Sequence, residues 1–127
     1  MIYKNQKEIQ AKLTKNLLDM IVLRLINHQA MHGYQVITQI RKIWGIYFGP
    51  STVYPLLSTL EKKGYIISKW NMTADKPRKI FTITNNGKAR IKSAENTLNL
   101  ICKTLNTFEP PSENTNENTT KVEPLAE

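Results

Sequence analysis

The hydrophobic period of this chain changes once, at Gly64, and that single change limits the folds open to it. Before Gly64 the apolar residues recur every three or four positions, in Leu17, Leu18, Ile21, Val22 and Leu25, in Val36, Ile37, Ile40 and Trp44, and in Val53, Leu56, Leu57 and Leu60. That spacing is the signature of amphipathic helices. After it, residues 65–70 and 78–84 are rich in Ile, Tyr, Trp, Phe and Thr, with a polar stretch at 71–77 between them. Such a pair of runs predicts a β-hairpin.

The boundaries follow from local chemistry. Helices are expected over about 14–27, 33–44 and 52–63, with the polar stretch Asn27, His28, Gln29 and then Gly45, Gly49 and Pro50 as breaks. Thr52 is the expected N-cap of the third helix. Gly64 ends it as a C-terminal glycine. Thr84, followed by Asn85, Asn86 and Gly87, predicts an N-cap for a last helix reaching about Phe108. The fold class is therefore mainly α with a small β-hairpin, a winged helix-turn-helix domain followed by a C-terminal dimerisation helix. The expected division is a helical N-terminal arm at 1–12, the winged-helix domain at 13–85, the dimerisation helix at 86–108 and a disordered acidic tail at 109–127, where too few apolar residues remain to form a core.

In a helix-turn-helix the second helix of the pair enters the major groove of DNA and the first crosses the backbone. Charge agrees with that use. Of the net +8, residues 1–92 hold 16 Lys and Arg against 4 acids, and residues 93–127 hold 2 against 6. A basic folded part favours a polyanion, although a merely solubilising surface would carry similar charge. No apolar run approaches the roughly 18 residues that a membrane span needs, and the first ten residues lack a secretion signal. No membrane partner is expected, and the expected location is the cytoplasm. Cys102 is single, which excludes an intrachain disulfide.

On the third helix, a 100° step per residue with Val53 inward turns Ser51, Pro55, Ser58 and Lys62 outward, flanked by Thr52, Tyr54 and Thr59. Hydroxyls can bond phosphate oxygens and base edges, and lysine neutralises phosphate. Proline is tolerated in a first helical turn, so Pro55 is expected at the third helical position, with the N–H groups of Val53 and Tyr54 free for a phosphate. The hairpin adds Lys69, Lys76, Arg78 and Lys79 against the single acid Asp75, a basic wing suited to the phosphate backbone or the minor groove. Capping and solvation are the plain alternatives for these residues.

Several strings here resemble the PadR family of regulators. His32-Gly33-Tyr34 is similar to the start of its second helix, Ser51-Thr52-Val53-Tyr54-Pro55 with Leu57, Leu60, Glu61, Gly64 and Tyr65 to its recognition helix, and Lys76-Pro77-Arg78-Lys79 with Phe81, Thr84 and Gly87 to its wing. The resemblance covers about residues 16–91. It implies a transcriptional repressor or activator that binds a palindromic operator as a homodimer, with Tyr34 joining the DNA-binding residues. Ser51 stands where the family usually has glycine. The last helix also lacks the interface tryptophan of members that bind planar drugs, so any small-molecule effector remains unidentified.

In the last helix Ile91, Ala94, Leu98, Ile101, Leu105 and Phe108 are spaced alternately three and four apart, a heptad seam of about two and a half repeats. It favours a second copy of the chain, while its shortness leaves open packing on its own domain. Chemistry other than binding finds little support. His28 and His32 have helical metal-ligand spacing, but they flank a break and no third ligand stands nearby. With no phosphate loop, nucleophile motif or acid pair, no catalytic residue, metal or cofactor is expected. The alternative to specific DNA binding is a winged-helix dimer that acts as a protein-interaction module.

Overall fold

The computed structural model describes residues 2–73 and 75–111. The expected tail therefore lies outside the described residues from position 112 onward. The elements are α1 (Ile2–Asn16), α2 (Leu18–His28), β1 (Met31–His32), α3 (Gly33–Trp44), α4 (Pro50–Lys62), β2 (Ile66–Asn71), β3 (Arg78–Ile83) and α5 (Asn85–Thr107). The chain folds as a mainly helical winged helix-turn-helix.

α2 is the centre of the packing, touching α1, α3, α5 and β3. It supplies Leu18, Ile21, Val22, Leu23, Leu25 and Ile26 to the core, which also takes Val36, Ile37 and Ile40 from α3 and Val53, Leu57 and Leu60 from α4. Ile66 and Phe81 close it from the sheet and Ile91 from α5. Full burial of one such side chain stabilises the fold by about 1.5–3 kcal/mol. The helical arm and the first core helix are separated by one non-helical residue, Leu17, so α1 runs to Asn16 instead of stopping near residue 12.

The sheet has three strands where two are expected from sequence. β2 and β3 form the hairpin, with Ile66 opposite Ile83 and Asn71 opposite Arg78. The third strand is β1, whose two residues pair with β3 so that Met31 faces Phe81 and His32 faces Ile80. Two residues carry no detectable alternation, which is why periodicity misses the strand. It matters because it ties the start of α3 to the wing.

α4 begins earlier than expected. Gly49, in the extended conformation, is its N-cap, and Pro50 is its first residue. The backbone N–H groups of Thr52 and Val53 both donate to the Gly49 carbonyl at 3.0 Å. Thr52 is thus not the cap, and the Val53 N–H is not free for a phosphate. Proline has its φ preset for a first helical position and pushes the preceding residue into extended backbone, so Pro50 outweighs the threonine. Pro55 consequently lies inside the helix, at its sixth residue. A proline there has no N–H to give to the carbonyl four residues back, which belongs to Ser51.

Candidate nucleic-acid interface

Three elements converge on one cleft of about 510 Å³: the start of α3, the outer face of α4 and the wing. It is lined by Tyr34 from α3, Tyr54 and Ser58 from α4, and Lys76, Arg78 and Lys79 from the wing. These six expected DNA-binding residues come together. Ser51, Pro55 and Lys62 are exposed on α4 and Lys69 is exposed on β2, outside that lining, while Thr52 is half-buried.

The arrangement has identifiable causes. A Cβ placed on Gly33 would overlap the ring of Tyr54. The absence of a side chain at Gly33 therefore lets α3 approach α4 and fixes where Tyr54 sits. Tyr54 remains 45% exposed. On the wing, Lys79 is turned onto Glu61 of α4 at 3.4 Å and lies 5.6 Å from the centre of the Phe81 ring. Its charge is therefore partly engaged within the protein, whereas Lys76 is exposed. Arg78 is engaged differently, its Nη1 lying 2.8 Å from Nε2 of His32.

His32 was outside the set expected for DNA. It forms a capping box with Gln35: the Gln35 N–H donates to His32 Nδ1 at 3.2 Å, and the His32 N–H donates to Gln35 Oε1 at 3.0 Å. Burial, with the Arg78 guanidinium adding to it, holds the His32 imidazole below its ordinary pKa of 6.5. Trp70, 64% exposed on β2, also lines the cleft. The sequence offered a signal only for its strand, since an aromatic in a strand reads first as core.

A second hollow lies on the other side of Tyr34, where Thr38, Arg41, Tyr47 and Pro50 surround about 590 Å³. Arg41 and the 63% exposed Tyr47 extend the polar surface past the start of α4. Neither belongs to a run of charge, so composition alone does not single them out.

The expected dimerisation seam is divided between two roles. Ile91 is 5% exposed and belongs to the monomer core. Ala94 and Leu98 are half-buried beside α2, while Ile101, Leu105 and Phe108 are 50%, 72% and 65% exposed. An apolar groove of about 750 Å³ runs between α1, α2 and α5, lined by Ile9, Leu13, Leu17 and Leu98 among others. Trp44 enters this groove from α3, so a tryptophan lines it although α5 has none. Arg24 and Glu95 pair across α2 and α5 at 2.7 Å.

Among the described residues no three His, Cys, Asp or Glu side chains gather as a metal site, and no helix is long and apolar enough to cross a membrane. Cys102 is exposed and free.

Known proteins bear out the reading of the fold. No curated protein matches the chain. A PadR family transcriptional regulator from Eggerthella lenta superposes with a TM-score of 0.73 at 26% identity, covering 84% of this chain and 94% of its own. A transcriptional regulator from Clostridium thermocellum gives 0.68 at 27% identity, over 76% of this chain and 97% of its own. A PadR-like regulator from Bacillus cereus shares the fold at 22% identity, with a TM-score of 0.66 over 75% and 93% of the two chains. The sequence profile of the PadR-like transcriptional regulators matches residues 22–93, more than half of the chain. The chain is a member of the PadR-like family of transcriptional regulators.

Proposed function

We propose that this regulator binds double-stranded DNA sequence-specifically, as a homodimer on a palindromic operator. α4 reads the major groove through Ser51, Thr52, Tyr54, Pro55, Ser58 and Lys62. Tyr34, Lys69, Lys76, Arg78 and Lys79 hold the flanking backbone. The observation that carries the reading is the cleft in which Tyr54 and Ser58 of α4 face Lys76 and Arg78 of the wing. Hydroxyl donors on a helix beside cations suit base edges flanked by phosphates.

The dimer joins the exposed end of α5, at Ile101, Leu105 and Phe108, to a second copy, with the α1 groove adding apolar surface. The two α4 helices then lie about one DNA turn apart, roughly 34–36 Å. Selection of bound duplexes from a random pool tests both parts together. A palindrome with half-sites one turn apart is expected. Tyr54→Ala and Ser51→Ala should weaken the selected site more than random DNA, whereas Lys76→Ala should weaken both alike. Failure to bind any duplex at low salt would instead favour the protein-interaction module.

A further inference from the structure

His32 has one ring lone pair when neutral and two donors aimed at it. The Gln35 backbone N–H points at Nδ1 from 3.2 Å, and the Arg78 guanidinium stands 2.8 Å from Nε2. If Nδ1 accepts, the ring proton is on Nε2 and meets another donor in Arg78. If Nε2 accepts, the ring proton is on Nδ1 and the cap of α3 is lost. Protonation removes both lone pairs. An acceptor from outside resolves the conflict: with Nδ1 kept as the cap, an oxygen between Nε2–H and the Arg78 guanidinium would take both donors.

The surroundings suit an anion. The cleft that holds the pair is also lined by Lys76, Lys79, Tyr34, Tyr54 and Ser58, and no carboxylate is among its described lining residues. Glu61, on α4, is turned onto Lys79, and Asp75 is exposed in the wing loop outside the lining. The Tyr34 ring lies nearly parallel to the imidazole, 6.5 Å between centres.

We propose that His32 is a phosphate-binding residue, its Nε2–H and Arg78 together donating to one backbone phosphate of bound DNA. The proposal rests on the DNA-binding reading above and assigns that interface a residue whose charge can change. A phosphate beside the imidazole favours its protonated form, in which the cap to Gln35 gives way while Nε2–H keeps its hold on the anion. Binding then takes up a proton from solvent, and affinity rises as pH falls. One proton changes affinity by at most about tenfold per pH unit.

The test measures binding of a labelled mixed-sequence duplex about two helical turns long, roughly 21 base pairs, to the full chain between pH 8 and 6 at constant low salt. Wild type and the control His28→Gln should both tighten roughly three- to tenfold. His32→Asn retains an oxygen that can cap α3, so it should keep the wild-type circular dichroism, bind more weakly at pH 6 and lose most of that pH slope. Independently of any variant, nitrogen-detected NMR of the His32 ring should show its pKa rising when the duplex is added. Binding with an unchanged slope in His32→Asn, or a ring pKa unmoved by DNA, overturns the proposal and leaves DNA binding standing. No binding of wild type to any duplex overturns the DNA-binding reading and this proposal with it.

Discussion

The Thr84 hydroxyl donates to the Gly64 carbonyl at 2.6 Å, so the residue that starts α5 also fastens the end of α4. The same oxygen accepts from the Gly87 N–H at 3.0 Å, and the Thr84 N–H donates to the Tyr65 carbonyl at 3.1 Å. Gly64, at φ +81°, supplies the left-handed turn that brings its carbonyl there. A Cβ on Gly87 would overlap the Tyr65 carbonyl oxygen.

Thr84→Val keeps the side-chain shape and removes both side-chain hydrogen bonds. It should lower the unfolding free energy by about 1–3 kcal/mol in denaturant titration. Gly87→Ala, which meets backbone that cannot turn aside, should cost at least about 2 kcal/mol. Equal stability of Gly87→Ala and wild type would refute the close approach.

Gly33→Ala probes the other glycine contact. The obstacle is the Tyr54 side chain, which can rotate away, so the stability loss should stay near 1 kcal/mol. DNA affinity should fall roughly tenfold, because a displaced Tyr54 leaves the reading face of α4. A calorimetric melt beside a binding isotherm separates the two effects.

The free protein should lose stability as it is acidified through the histidine range. The folded pKa of His32 is held below its ordinary 6.5, first by burial and then by Arg78. Between that lowered value and 6.5 the unfolded chain binds more protons than the folded one, so stability rises with pH across this window, and below it the His32 contribution levels off at its lower value. His32→Asn should flatten this part of the profile in chemical denaturation. DNA should oppose the trend, since the phosphate favours the protonated ring.

Leu105→Glu should dissociate the proposed dimer without unfolding the domain, because Leu105 is 72% exposed and outside the core. Light scattering at micromolar concentration should fall to the monomer mass while circular dichroism is unchanged. A variant that remains dimeric would move the interface off this end of α5.

Much of this was legible in the residues. Val53, Leu57 and Leu60 gave the buried side of α4, and Thr84 announced the cap of α5 through its hydroxyl and the Gly87 that follows. What escaped depends on contacts distant in sequence. The strand at Met31–His32 exists only because β3 lies beside it, and His32 meets Arg78 across 46 residues. α4 starts earlier than the threonine suggests because Pro50, which reads as part of the break, is itself the first helical residue, and only the backbone shows it. Likewise Ile91 fits the heptad seam by spacing, yet it is drawn into the monomer because α2 presents an apolar face directly opposite.

α5 is a single helix of 23 residues, pinned at its first turn to the carbonyls that follow α4 and free at its far end. At 1.5 Å per residue it is a strut about 34 Å long. α2 holds it as far as Leu98, through Ile91 in the core and the Arg24–Glu95 pair, so its last nine residues, about 13 Å of helix carrying Leu105, project beyond the domain. In the proposed dimer this projecting end, and not the domain itself, sets how far apart the two α4 helices stand.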